Sequence, residues 1–241
     1  MVASIVIAAV LAVIFMGYRV AYADKSTVNG VIGTLIKTVA SLGFIAIGFT
    51  AVLTMQKFSA GALFIIGGQI FGMIGDLVLD LKVVYQKKNE EGTYLTGGMV
   101  AFGLGHIMFF VAILLYLTSN VLSLAVIGIC IAVAAVVAFA IVFGGEKLMG
   151  FRFGKFTIHS VIYGFLLIFM SAISIAGWVL YAKENPYMPV FSVGMILFFL
   201  SDVFLTQMYF GGRPNDKLLC VINHSLYYAA QICVAAFIFY M

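Results

Sequence analysis

An all-α fold, a polytopic membrane bundle of eight transmembrane helices, is what this sequence predicts, and three observations carry that prediction. The 241 residues are 64% hydrophobic and only 9% charged, where a soluble domain is about a quarter charged. Eight apolar runs stand between short polar connections, at 2–18, 31–54, 62–81, 98–117, 121–143, 157–181, 189–210 and 218–241. At ~1.5 Å per residue, runs of this length match a ~30 Å hydrocarbon layer. Ten of the 13 Lys and Arg residues fall in the odd-numbered connections, only Lys57 and Lys183 in the even ones, and Lys37 inside a run. The positive-inside rule then makes the odd connections cytoplasmic and both termini extracytoplasmic, a parity that eight spans satisfy.

No connection can hold a soluble domain, so residues 1–241 read as a single transmembrane domain, a multi-pass integral protein of the cell membrane. The first run has no basic leader and no small-x-small cleavage site ahead of a soluble domain, so it reads as helix 1 rather than a signal peptide. Cys130, Cys220 and Cys233 lie in or beside apolar runs without CxxC spacing and read as space-filling thiols. The net charge of +4 is spread over short connections, which gives no stripe for nucleic acid.

The runs can be justified in order by what they carry. Run 2 enters from the cytoplasm with Lys37 about two turns in. Run 3, ALFIIGGQIFGMIGDLVLDL, holds Gln69, Asp76 and Asp80, which at 100° per residue fall within about 20° of one stripe. A carboxylate inside a span costs roughly 2.5–3.5 kcal/mol on insertion scales, so such residues face the bundle interior. His106 is near the middle of run 4. His159 is less than one turn into run 6 and reads as interfacial. Asp202 is two-thirds along run 7. Run 8 carries Asn223 and His224 about two turns in, and His224, Tyr227, Tyr228 and Gln231 form a polar stripe at helical spacing. All these groups lie at the centre or in the inner half, which predicts a polar cavity opening toward the cytoplasmic face.

The two halves, 1–118 and 121–241, also resemble each other. Gly75-Asp76-Leu77 matches Ser201-Asp202-Val203, with Gly68 matching Gly194, at an offset of 126. His106 with Phe109 and Phe110 matches His224 with Tyr227 and Tyr228 at an offset of 118, and Lys37 matches His159 at 122. Four spans per unit is even, so the repeat expected is a parallel 4+4 one about an axis along the membrane normal, with Asp76 facing Asp202.

Two carboxylates at similar depth can divide labour, one carrying the proton and one staying ionised, and together they serve acid–base hydrolysis of an acetal-like C–O bond. The other reading of Asp76 and Asp202 is a pair of buried acids that lock the bundle through Lys37 and a histidine. Asp80, nearer the interface, reads equally as a site residue or as a cap or partner for Lys82. Lys37 either anchors a phosphate or pairs with an aspartate. The three histidines lie on three helices without metal-ligand spacing, so no metal site and no cofactor are expected. There is no GxSxG elbow, nucleotide loop or haem motif.

Several motifs in this order resemble the YhhN-like lysoplasmalogenase family. They are Lys37 early in run 2, Gly75-Asp76, Phe102-Gly-Leu-Gly-His106, Tyr163, Ser201-Asp202 and Tyr228-Ala-Ala-Gln231. The resemblance runs from about residue 30 to the end. It implies an eight-helix membrane hydrolase that cleaves the vinyl ether bond of lysoplasmalogens to a fatty aldehyde and a glycerophospho-headgroup. It also implies Asp76 and Asp202 as the catalytic acids. The substrate-binding set is then Lys37, Asp80, His106, Tyr163, Asn223, His224, Tyr228 and Gln231. The implied partners are a single-tailed lysophospholipid and the bilayer, with no obligate protein partner. Connection 3, KKNEEGTYL, is longer and more charged than the family leads one to expect, which bears on headgroup choice. The rival classes are a small proton-coupled transporter, favoured by parallel repeats with midplane acids, and a lipid-binding membrane protein.

Overall fold

A computed structural model describes residues 1–22, 25–56, 58–85, 91–117, 122–184, 186–214 and 216–241, without the side chains of 82, 83, 85 and 91. Eight α-helices follow one another: α1 Val2–Tyr22, α2 Thr27–Met55, α3 Ala60–Tyr85, α4 Glu91–Tyr116, α5 Leu124–Met149, α6 Thr157–Leu180, α7 Met188–Phe210 and α8 Lys217–Phe237. Each is long and apolar enough to cross a membrane, and no strand occurs among the described residues. The chain is a multi-pass membrane protein.

Several helices outrun their apolar runs, because caps rather than hydropathy end them. Ser26 accepts from Asn29 N at 3.2 Å and starts α2 well before the run at 31. Asp216 accepts from Leu219 N at 3.0 Å to start α8. That amide, with the Arg213 guanidinium behind it, holds the Asp216 carboxyl below the usual carboxylate range. Ser123 caps α5 and Gly150, at φ 69°, ends it in the left-handed conformation a side chain resists.

Sequential neighbours α1–α2, α3–α4, α5–α6 and α7–α8 pack as antiparallel pairs. In addition α2 packs on α3 and α8, and α6 on α7 and α4. The last turns of α1, α3, α5 and α7 and the first turns of α2, α4, α6 and α8 stand at one end of the bundle, with Arg19, Lys147, Arg152, Arg213 and Lys217; we call it the basic end. The symmetry is incomplete. The first helix, α1, also packs on α8, whereas α5 packs closely on α6 alone among the described residues.

Where α3 crosses α4, the backbones nearly touch. A Cβ on Gly68 would lie 2.9 Å from the Gly105 carbonyl oxygen, and one on Gly105 2.9 Å from that of Gly68. Such small-residue contacts let membrane helices approach closely. On α7 the same role falls to Gly194, whose Cβ would meet the Ala230 carbonyl oxygen at 3.1 Å. These two crossings lie 126 residues apart on α3 and α7 and 125 apart on α4 and α8. Superposing them would set His106 on Gln231, one heptad from the expected His224. His106 stands at the level of Gln231, and His224 lies about 10 Å nearer the basic end.

Candidate functional site

The stripe of α3 faces α2 and α8 and is fully enclosed. Gln69, Asp76 and Asp80 are 0%, 6% and 4% exposed. Lys37 of α2 enters between the two carboxylates, its Nζ 3.2 Å from Asp76 Oδ1 and 3.2 Å from Asp80 Oδ1. Ser41, one turn on, donates to Asp76 Oδ2 at 3.2 Å, and Tyr227 stands on the wall of the same cavity as Asp76. Arg19 Nη1 stands 3.6 Å from Asp80 Oδ2. Two cations thus face two anions, and the cluster is neutral. That is what the hydrocarbon environment demands, since a buried charge is tolerated only when paired and hydrogen-bonded.

The polar ladder continues toward the bundle centre. Gln231 Nε2 donates to the Tyr227 hydroxyl at 3.3 Å, and Gln69 Nε2 donates to the Gln231 carbonyl oxygen at 2.9 Å. Phe15 of α1 covers the outer side. Its ring lies 5.9 Å from Lys37 Nζ and 5.0 Å from the His224 ring.

Asp202 is held differently. The Tyr163 hydroxyl of α6 donates to its Oδ2, and no cation pairs with Asp202 among the described residues. One residue before it, Ser201 Oγ donates to the Asn223 carbonyl oxygen at 3.1 Å, and Asn223 Nδ2 returns to the Ser201 carbonyl oxygen at 2.9 Å. This exchange locks α7 to α8 beside the carboxylate.

Two cavities meet at Asp202. One, of about 120 Å³, is polar; Arg19, Lys37, Asp76, Asp80, Asn223 and His224 stand on its wall. The other, of about 450 Å³, is apolar and lies among α4, α5, α6 and α7, with Tyr163 on its wall. Asp202, Leu79, Phe102, Leu205 and Tyr209 belong to both walls. Asp76 and Asp202 thus face one common space near the basic end, one through a cation-bound carboxylate and the other through a phenol-bound carboxyl.

The expected substrate-binding residues divide accordingly. Lys37, Asp80, Asn223 and His224 line the polar cavity, and Tyr163 lines the apolar one. His106, Tyr228 and Gln231 line neither. His106 is buried, its Nδ1 2.8 Å from the Phe102 carbonyl oxygen and its ring 4.8 Å from the Phe198 centroid. Tyr228 donates to the Lys37 carbonyl oxygen at 3.4 Å. These three brace the site rather than face it. Of the two readings of Lys37, the ion pair is the one present. Asp80 pairs with Lys37 and Arg19; the Lys82 side chain, and most of connection 3, lie outside the described residues. His159 is exposed, as its interfacial reading requires.

Arg19, Ser41 and Tyr227 were not singled out from sequence as site residues. Tyr227 already stood in the polar stripe of run 8, and Ser41 is one turn after Lys37, on its face. Arg19 gave no such signal, since a basic residue at a span end reads as a topology signal.

No group of three or more His, Cys, Asp or Glu side chains is placed to hold a metal among the described residues. The YhhN family's sequence pattern matches residues 32–238, and neither a curated protein nor a solved structure matches the chain. With nearly its whole length matched, the chain belongs to the YhhN family. The α1 helix, with Phe15 and Arg19, precedes the matched segment.

Proposed function

From this family membership and the adjoining cavities, we propose that the protein is a membrane hydrolase cleaving the vinyl ether bond of a single-tailed lysophospholipid. The observation that carries the proposal is the junction at Asp202, which stands on the walls of both a roomy apolar cavity and a small polar one. A molecule with one hydrocarbon tail and a polar head spans that junction with its ether linkage beside the carboxyl. The basic end, toward which the polar cavity runs, is the cytoplasmic side by the charge pattern of the connections, and the membrane is the cell membrane.

The two aspartates differ in their partners, and this divides the work. Asp76 is bound by Lys37 and Ser41 and serves as the carboxylate. Asp202 is bound by a phenol through Oδ2 and carries the proton on Oδ1. That proton passes to the alkene carbon remote from oxygen, and the carbon bonded to oxygen becomes an oxocarbenium centre, as in glycoside hydrolysis. Water adds to the cation and gives its proton to Asp76. The hemiacetal then collapses. Asp202 takes the hemiacetal hydroxyl proton, Asp76 returns its proton to the departing glycerol oxygen, and both groups are restored. The products are a fatty aldehyde and a glycerophospho-headgroup, with one water consumed.

The phosphate falls to the outer part of the polar cavity, whose wall carries Arg19. The test is product analysis by mass spectrometry with purified protein and a panel of alkenyl and acyl lysolipids. Aldehyde from the alkenyl members supports the proposal. Transport of intact lysolipid across liposomes without product would replace it with the transporter.

A further inference from the structure

On the substrate class just proposed, we infer that the hydrocarbon tail binds folded back beside the head group. It points toward the basic end, and its tip ends against the Phe151–Phe153–Phe210 cluster.

Three observations point this way. The first is the placement of Asp202 along the apolar cavity. The α7 wall of that cavity runs from Phe199 to Phe210. Asp202 stands only about 4–5 Å from its inner limit but about 12 Å from its limit at the basic end. The α5 wall, Ala138 to Met149, extends in the same direction from beside Gly164, the residue after Tyr163. On α6 the wall reaches inward to Ile168, so a short inner recess exists, but the greater length lies toward the basic end. The polar cavity also runs to that end, reaching Arg19 and Pro214.

The second is what lies on the inner side of Asp202. A buried aromatic layer fills the bundle there. The His106 ring is 4.8 Å from Phe198, Phe102 is 6.1 Å from Phe198, and Phe109 is 6.2 Å from Phe191. All five are buried. A tail running deeper would have to displace side chains packed at interior density.

The third is the aromatic cluster at the far end. Phe153 lies 4.5 Å from Phe210 and 5.8 Å from Phe151, and both Phe151 and Phe153 are buried. The connection that carries them is fastened, not loose. Arg152 N donates to the Phe210 carbonyl oxygen at 2.9 Å, and Phe151 N donates to that of Gly145 at 3.1 Å. A tail that runs toward the basic end meets this fixed cluster, which selects among tail lengths.

The test uses the wild-type protein and a non-hydrolysable alkyl lysophospholipid with a diazirine at the tail tip. Cross-links are located by mass spectrometry with and without excess unlabelled alkyl lysolipid. Competable labelling of residues 148–153 and Phe210 is expected. Competable labelling of the Phe109–Phe191–Phe198 layer, or labelling that excess lysolipid does not reduce, overturns the inference. In parallel, Phe153→Ala and Phe210→Ala should each raise the affinity for tails two carbons longer by about tenfold, the worth of two newly buried methylenes. Unchanged length preference in both folded variants also overturns it. Because binding is read without turnover, labelling at the basic end together with no aldehyde release would sink the hydrolase and leave the tail site standing.

Discussion

Lys37→Met gives the sharpest perturbation of the buried ladder. Lys37 is 4% exposed and lies 3.2 Å from both Asp76 and Asp80. Methionine keeps the volume of the stem and removes the charge. Among the described residues Asp76 then retains the Ser41 hydroxyl, and Asp80 retains Arg19 at 3.6 Å. Removing one partner of a buried ion pair costs about 3–5 kcal/mol, because the remaining charge is left uncompensated. In a chain of this size that is a fall in melting temperature on the order of 10 °C. The assay is thermal unfolding of the detergent-solubilised protein, followed by the near-ultraviolet signal of its aromatic side chains. Adding Asp76→Asn to Lys37→Met should restore most of the loss, since the double variant keeps Asp80 paired with Arg19 and leaves the cluster neutral. Wild-type stability in Lys37→Met, or no recovery in the double variant, would refute the ion-pair account. It would revive Lys37 as a free phosphate anchor.

Further expectations concern the site and the helix crossings. Tyr163→Phe removes the hydrogen bond that orients Asp202 and should lower kcat about tenfold with little change in KM, read by steady-state aldehyde release. Turnover in D2O, with the aldehyde trapped at once as a hydrazone, should place one deuterium on the carbon next to the carbonyl. An aldehyde without deuterium rules out protonation at carbon. The pH profile of kcat should be bell-shaped, because one carboxyl must carry a proton while the other is ionised. Gly105→Ala sets a Cβ 2.9 Å from the Gly68 carbonyl oxygen and should cost about 1–3 kcal/mol by thermal unfolding. Gly128→Ala, with nothing within 4 Å, should stay within about 0.5 kcal/mol of wild type.

What the sequence made legible follows from the cost of polarity in lipid. Asp76, Asp80, Gln69 and Lys37 stand out against hydrocarbon, and helical periodicity places the three α3 groups on one stripe, where the structure has them. Length and charge marked the eight spans. Their ends were less visible, because Ser26, Asp216 and Gly150 set them by hydrogen bonding and backbone conformation rather than hydropathy. The match of His106 with His224 rests on weak ground because apolar helices resemble themselves at seven-residue shifts; superposing the Gly68–Gly105 and Gly194–Ala230 contacts would set His106 on Gln231 instead. Arg19 was hidden because pairing between α1 and α3 leaves no local pattern. The apolar cavity was hidden for a different reason. Its wall residues, Leu, Phe, Val and Gly, are the same types that fill a core, and only the loose seating of α5 leaves space among them.

The most direct test is aldehyde release from an alkenyl lysophospholipid by Asp76→Asn and Asp202→Asn, each purified and shown by its unfolding transition to be folded. Loss of 10²-fold or more in both variants, with lysolipid binding retained, is the predicted result. Full activity in either folded variant would contradict the shared work of the two carboxyls.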